Sequence, residues 1–398
     1  MGLEKFQIYF DNPQAVFYTG QNVSGKIVLV TSTPKKVRAI NVKIKGEAKV
    51  AWTETREHTT TTTTTSTNDG DSSTPTSQTE TVTFSNEEVY FENKFTAYGG
   101  GSDQTLNAGE HVFPFSYVLP TNLPSSFEGE HGHIRYTVRA VLDRPWTFDH
   151  EAKAAFTIIS TLDLNTEPQA AAPANAQKSK TYCCLCCASG PVNVTLSLPT
   201  GGAVPGESLF PTLDVENNSR VYLSLIRLRL KKRLVYKARG STKTEEMSIA
   251  EKNLGYVDSG QSHTFEREAL LVPSLPPSNL KNCSIIDLDY YLEAHFTSSG
   301  MYSNFELRVP VLIGTIPLHQ NFAQYTPAVQ SQPQSQPLGW NFSPSAPYRD
   351  GSPSYPDLPP PTYQQSVFGP RSVVDRADNQ YIYGEKNFAP MYPVYHHS

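Results

Sequence analysis

The stretch Ile134-Arg135-Tyr136-Thr137-Val138-Arg139-Ala140-Val141-Leu142 places an apolar residue at every second position. Successive side chains of a strand point to opposite faces, so this period of two predicts a β-strand with one buried face. The same period recurs in other segments, at Ile40, Val42 and Ile44, at Ile226, Leu228 and Leu230, and at Leu288, Tyr290, Leu292, Ala294 and Phe296. No comparable stretch has the spacing of an amphipathic helix. The sequence therefore predicts an all-β fold built from antiparallel sandwiches.

Length and composition narrow the class of protein. A chain of 398 residues is long enough for two or three domains, and its 31 Pro, 24 Gly and 21 Tyr favour strands and turns over coiled coils. The net charge of −5 gives no overall attraction to nucleic acid. The chain has no apolar run of transmembrane length and no apolar start, so we expect a soluble, cytoplasmic protein.

The two halves of the chain repeat each other. A constant offset of 186 residues superimposes glycine and apolar positions, pairing Gly20 with Gly206, Val23 with Leu209, Ile27 with Leu213, Leu29 with Val215, Val37 with Leu223, Ile40 with Ile226, Val42 with Leu228 and Ile44 with Leu230. Periodicity alone rarely supplies eight ungapped matches. We therefore predict two related sandwiches in tandem.

Composition also predicts the domain boundaries. We expect an N-terminal domain over 1–165, a linker over 166–182, a C-terminal domain over 183–318 and a tail over 319–398. Residues 320–398 contain 13 Pro and 8 Tyr without an apolar period, so we expect this tail to be disordered and partly polyproline II. The composition of the Thr-rich stretch from Thr59 to Thr83 predicts a surface loop.

One longer segment resembles a known family. It runs from Ala108-Gly109-Glu110-His111-Val112-Phe113-Pro114-Phe115 through Ser116-Tyr117-Val118-Leu119-Pro120 to Leu142-Asp143-Arg144-Pro145-Trp146. With Val309-Pro310-Val311-Leu312-Ile313-Gly314, it resembles the α-arrestins, or arrestin domain-containing proteins, over about 310 residues and a tail motif. The resemblance implies two tandem arrestin-like domains of immunoglobulin-like topology that act without catalysis or cofactor in membrane-protein trafficking. Phosphate-sensing residues of the visual and β-arrestins cannot be placed on this sequence.

The tail carries the clearest binding motif, Pro360-Pro361-Thr362-Tyr363. Consecutive prolines hold the backbone in polyproline II, so their rings can lie in the aromatic groove of a WW domain while Tyr363 fills the next pocket. Pro390, Met391 and Tyr392 form a degenerate copy that lacks the first proline. This copy is either a weak second WW motif, which would add avidity, or an ordinary tail sequence.

A basic strand is a second candidate site. Positive charge recurs at Arg227, Arg229, Lys231, Lys232 and Arg233. Two interpretations remain open, a membrane or anion patch that supports transient docking and a simple solvated face.

Cysteine and histidine clusters complete the candidates. Cys183, Cys184, Cys186 and Cys187 lack a second ligand pair for zinc, which leaves S-acylation or a half-buried strand of free thiols. His131-Gly132-His133 has no completing carboxylate or cysteine cluster in the sequence, so we predict a structural turn and no metal site. Enzyme motifs with the required spacing do not occur, and we predict no enzymatic activity.

Together with the resemblance, the motif predicts a non-enzymatic adaptor. It would bind membrane receptors or transporters as cargo, recruit WW-domain HECT-type E3 ubiquitin ligases, and act in the cytoplasm and peripherally at the plasma membrane and endosomes. The alternative is a structural sorting-coat subunit that resembles the arrestin-folded retromer component and does not recruit a ligase.

Overall fold

The computed structural model describes residues 2–64, 72–184, 187–324, 358, 360–374, 378 and 382–396. The first lobe is a sandwich of two sheets, ordered β1-β3-β6 and β2-β9-β8-β4-β5, with β7 beside β8. Its strands are β1 Leu3–Phe10, β2 Val16–Tyr18, β3 Asn22–Thr31, β4 Lys35–Thr64, β5 Ser72–Leu106, β6 Gly109–Val118, β7 Phe127–Glu128, β8 Gly132–Asp143 and β9 His150–Ile159.

The second lobe has two corresponding sheets, ordered β10-β13-β16-β19 and β14-β22-β21-β17-β18. Its strands are β10 Ala174–Lys180, β11 Cys183–Cys184, β12 Cys187–Ala188, β13 Val192–Leu198, β14 Gly202–Ala203, β15 Ser208–Leu209, β16 Thr212–Asn217, β17 Leu223–Ala238, β18 Ser241–Val257, β19 Ser262–Phe265, β20 Leu270–Leu271, β21 Ile286–Ser298 and β22 Phe305–Ile313. The described helices are short: α1 Pro168–Ala171 and 3₁₀ turns at Leu164–Thr166, Ser278–Leu280 and His319–Gln324. None of these helices could cross a membrane.

The two lobes have the same sheet topology as well as the same sequence pattern. In each larger sheet, a short strand lies parallel to the last strand of the lobe, which pairs in turn with the strand before it and then with a long hairpin. Side-chain contacts repeat too. Tyr136 and Tyr290 each donate to a proline carbonyl oxygen, on Pro124 and Pro276, at 2.7 and 2.9 Å. The predicted duplication is therefore present in the architecture.

The alternating apolar side chains of β8 form its buried face. Ile134, Tyr136, Val138 and Ala140 are all fully buried, whereas the residues between them face the other side of the sheet. The all-β prediction and the two tandem domains are confirmed.

Two local predictions differ from the structure. The described parts of the Thr-rich stretch, 59–64 and 72–83, extend strands β4 and β5, with Thr59 opposite Ser77, because β-branched threonine suits an extended backbone. Within the predicted linker, residues 174–180 form β10, which pairs with β13 along its whole length.

The lobes meet along a packed seam. Tyr236 of β17 is fully buried against the turn at Gly129, where an added Cβ would lie 2.4 Å from the tyrosine hydroxyl. The neighbouring His131 Nε2 lies 2.9 Å from Glu245 Oε1 of β18. The histidine turn thus joins the two lobes, in keeping with the structural role predicted for it.

Two pieces of the tail pack against the lobes. Residues 360–374 and 382–396 contain β23 Thr362–Gln365, β24 Arg371–Ser372, β25 Ile382–Tyr383, β26 Asn387–Phe388 and β27 Met391–Val394. β23 pairs antiparallel with β27, and β24 pairs with β26. We call these two pieces the tail hairpin. The sequence predicts disorder over the whole tail, but the residues of the tail hairpin form paired strands. Residues 325–357 lie outside the described residues.

Candidate functional site

The predicted ligase motif runs into the first strand of the tail hairpin, whose first two residues are Thr362 and Tyr363. Thr362 is opposite Val394, and the register continues to Gln365 opposite Met391. Pro360 is exposed, whereas Pro361, Thr362 and Tyr363 are half-buried. The Thr362 hydroxyl also donates to the Val394 carbonyl oxygen at 3.2 Å. The motif is therefore part of a strand pair that lies against the body of the protein.

Tyr363 points its hydroxyl into the first lobe. The hydroxyl oxygens of Tyr363 and Tyr18 are 3.0 Å apart. Tyr18 is held by β2, which runs parallel to β9 and places Tyr18 opposite Ile159. Burial raises the pKa of both tyrosines, so both phenols are neutral near pH 7.

The degenerate second motif is an anchor of the hairpin. Tyr392 is 1% exposed, and its hydroxyl donates to the Ser126 carbonyl oxygen at 2.8 Å. The Met391 backbone N–H donates to the Thr157 hydroxyl at 3.1 Å. With Tyr392 enclosed in this way, residues 390–392 cannot serve as a weak second WW motif in this conformation. A tyrosine followed by an apolar pair suits a buried strand as well as it suits a ligand.

Tyr395 anchors the end of the hairpin to the second lobe. Its hydroxyl donates to the Thr315 carbonyl oxygen at 3.0 Å, and its backbone N–H donates to the Pro205 carbonyl oxygen at 2.9 Å. Gly206, with φ of 95°, lies so close that an added Cβ would be 1.8 Å from the Tyr395 carbonyl oxygen. Only glycine allows this approach. The tail hairpin thus contacts both lobes, Ser126 and Tyr18 in the first and Thr315 and Pro205 in the second.

Two buried lysines hold the middle of the hairpin. Lys153 of β9 is 5% exposed and donates from Nζ to the Val373 carbonyl oxygen at 2.7 Å and to Asp378 at 2.9 Å. Lys232 is 4% exposed, with its Nζ 3.5 Å from the centre of the Phe368 ring. Burial lowers the pKa of Lys232 to about 8. β25 adds a further contact by pairing parallel with β9 at Glu151 and Ala152.

The structure changes the interpretation of the basic strand. Arg227, Arg229, Lys231 and Arg233 lie on one face of β17, and Lys232 lies on the other face under the hairpin. Arg229 contacts Glu251 at 2.8 Å, and Lys231 contacts Glu293 at 3.3 Å; Arg227 lies 3.5 Å from Glu251. These acidic partners come from the neighbouring strands β18 and β21 and offset the positive charge. Three of the five basic side chains thus lie beside carboxylates, Arg233 is exposed, and a membrane or anion patch at this strand stays a prediction.

Two groups of side chains in the described part of the chain approach metal-ligand spacing. They are Glu130, His131 and Glu245, and Glu293, His295 and Glu306. In the second group, Glu293 already contacts Arg229, Lys231 and Arg308. In the first group, Glu245 is engaged by His131 and by the Tyr236 hydroxyl at 3.3 Å. His131, Glu245 and Glu293 therefore already have partners within the protein.

Two short strands lie within the cysteine cluster. β11 and β12 pair Cys183 with Ala188 and Cys184 with Cys187, while Leu185 and Cys186 lie outside the described residues. The described residues thus form two paired strands and not the single strand of thiols that the sequence suggested. S-acylation of these cysteines stays a prediction.

Sequence reasoning missed the partners of the motif. Tyr18, Thr157 and Thr315 carry no signal of their own, because each lies in an ordinary strand or strand end far from the tail in sequence. The one local signal was the continuous apolar and aromatic run over residues 391–395, because such a short run is consistent with a buried strand.

Comparison with known proteins settles the family. The model of the arrestin (or S-antigen) N-terminal domain matches residues 6–165, and the model of the arrestin C-terminal domain matches residues 188–318. The chain belongs to the arrestin domain-containing family. It is 31% identical to arrestin domain-containing protein 17 of Caenorhabditis elegans over 99% of each chain.

Mammalian members of the arrestin domain-containing family are similar over most of the chain. Arrestin domain-containing protein 1 of Mus musculus is 30% identical over 87% of this chain and 71% of its own length. Arrestin domain-containing protein 4 of Homo sapiens is 28% identical over 88% of this chain and 80% of its own length. Membership of this family supports an arrestin-like adaptor role.

Proposed function

We propose that this arrestin domain-containing chain is a non-enzymatic trafficking adaptor that recruits WW-domain HECT-type ubiquitin ligases to membrane-protein cargo. The observation that carries the proposal is the element Pro360-Pro361-Thr362-Tyr363. Two adjacent prolines and a tyrosine two positions later match the groove and pocket of a WW domain. The role of the chain is to bring the ligase close to the lysines of its cargo.

The mechanism is induced proximity. A ligase that binds the tail and a cargo that binds the lobes are held in one complex, so ubiquitin transfer occurs at a raised effective concentration. No step requires a catalytic group of this chain. The cargo would be a receptor or transporter, and the protein would act in the cytoplasm and peripherally at the plasma membrane and endosomes.

Binding of an isolated WW domain tests the first half of the proposal. Full-length protein is compared with Pro361→Ala and Tyr363→Ala. The matched control is Tyr355→Ala, which removes the tyrosine of Ser352-Pro353-Ser354-Tyr355, a sequence that resembles the motif but lacks its first proline. We expect both motif variants to lose most binding and the control to retain it. Undiminished binding by Tyr363→Ala would contradict the proposal.

A further inference from the structure

We infer that the tail hairpin masks the ligase motif, so that docking against the lobes and binding to a WW domain are alternative states of one segment. This inference rests on the proposed function and adds its regulation. The observation behind it is the position of Tyr363, which is half-buried with its hydroxyl 3.0 Å from that of Tyr18. A WW domain requires the same tyrosine ring for its own pocket.

The backbone of the motif is engaged as well as its side chain. Thr362–Gln365 is paired with Met391–Val394, and the Gln364 carbonyl oxygen accepts a hydrogen bond from the Ser274 hydroxyl at 2.8 Å. A WW domain binds its ligand as a polyproline II segment, which needs free access around the chain. The first strand of the hairpin must therefore leave its partner strand before a WW domain can bind.

Most of the contacts that hold the hairpin lie outside the motif. Tyr392 and Tyr395 are 1% and 4% exposed, and their hydroxyls donate to carbonyl oxygens of Ser126 and Thr315. Lys153 and Lys232 hold the middle through Val373 and Phe368. These side chains are not part of the element that a WW domain reads, so docking can be weakened without changing the ligand itself.

Masking should raise the apparent dissociation constant of the full chain for a WW domain. When only a fraction of molecules is in the binding-competent state, the apparent dissociation constant rises by the inverse of that fraction. Minor states in such equilibria typically hold between about 0.1% and 10% of the molecules. We therefore expect the full chain to bind a WW domain at least about tenfold more weakly than a free peptide of residues 354–370.

The experiment compares the dissociation constants of one purified WW domain for four partners. These are the 354–370 peptide, the full chain, the chain shortened after Phe388, and the full chain with Glu385→Ala. Shortening removes β27 and the anchors Tyr392 and Tyr395 but keeps the motif. Glu385 is exposed in the hairpin and serves as the control. We expect the shortened chain to bind like the peptide and the control to bind like the wild type.

A milder variant guards against loss of folding in the shortened chain. Tyr392→Phe combined with Tyr395→Phe removes two hydroxyls and keeps both rings in place. It should bind the WW domain several-fold more tightly than the wild type, and the amides of 362–365 should exchange hydrogen faster.

The outcomes separate the inference from the proposed function. A peptide that does not bind overturns the proposed function and the inference with it. A peptide that binds with the same affinity as the wild-type full chain overturns masking alone and leaves the ligase motif intact.

Discussion

The hydroxyl oxygens of Tyr18 and Tyr363 lie 3.0 Å apart, which joins the second strand of the first lobe to the tail motif 345 residues later in the chain. Tyr18 is held at the edge of β9, and Tyr363 is held by pairing with β27. Each end of this contact is therefore fixed by its own strand.

Removing the Tyr18 hydroxyl should loosen the motif. Tyr18→Phe deletes one hydrogen bond of about 1 kcal/mol, so WW-domain affinity of the full chain should rise about two- to fivefold. Tyr9→Phe is the control, because Tyr9 is exposed and its hydroxyl contacts only the nearby Gln7 among the hydrogen bonds described. Titration calorimetry measures both. Equal affinity of the Tyr18 variant and the wild type would show that this contact does not restrain the motif.

Phosphorylation of Tyr363 should abolish both docking and ligase binding. The phosphate adds about two negative charges where the docked hydroxyl meets Tyr18 and where a WW domain offers an aromatic pocket. Semisynthetic protein carrying phosphotyrosine at position 363 should lose amide protection at 362–365 and should also fail to capture the WW domain. Retained protection in the phosphorylated protein would contradict the docked geometry.

Lys232 should make stability depend on pH. Burial lowers its pKa from 10.5 to about 8 in the folded protein. Below pH 8 the ammonium is charged in both folded and unfolded states, and its burial costs a constant amount. Between pH 8 and 10.5 the folded state releases the proton first, so stability rises with pH.

Lys232→Met isolates this contribution. The variant should melt a few degrees higher at pH 7 and should gain less stability than the wild type between pH 8 and 9.5. Tyrosine ionisation affects both proteins equally and cancels in the comparison. Parallel melting curves of the two proteins across this range would show that Lys232 is not held in a desolvated site.

Arg135 and Glu128 form a buried ion pair below the hairpin. They are 5% and 4% exposed and make two hydrogen bonds of 2.7 and 2.8 Å. Arg135→Ala removes both hydrogen bonds and the neighbouring positive charge from the buried Glu128 carboxylate, and should lower the free energy of unfolding by about 3–5 kcal/mol. Arg56→Ala breaks a half-exposed pair with Glu54 and should cost less than about 1 kcal/mol. Urea denaturation compares the two; equal losses would contradict the burial of the Arg135 pair.

The fold was predictable because its signals are local and repeated. The period of two from Ile134 to Leu142, and the offset that brings Ile40 onto Ile226, report which side chains face a core. The tail was harder because its apolar positions are few and its strand partners lie in the body. The Tyr392 hydroxyl donates to the carbonyl oxygen of Ser126, more than 260 residues earlier in the chain. The sequence near either residue does not indicate this contact.

The charges read along one strand leave out their acidic neighbours. Strands β18 and β21 bring Glu251 and Glu293 beside Arg229 and Lys231. Lys232, one residue further on, points to the opposite face of the sheet and lies under Phe368. Which charges are compensated depends on strand register between distant segments, and that register is set by the whole sheet.

The central claim is that Pro360–Tyr363 links a ubiquitin ligase to cargo held by the lobes. The most direct measurement is affinity capture from cells, with ligase, cargo and cargo ubiquitylation read together for wild type, Tyr363→Ala and Tyr355→Ala. We predict that Tyr363→Ala loses the ligase and cargo ubiquitylation but keeps the cargo, while Tyr355→Ala behaves like the wild type. Cargo ubiquitylation that persists in Tyr363→Ala would contradict the account.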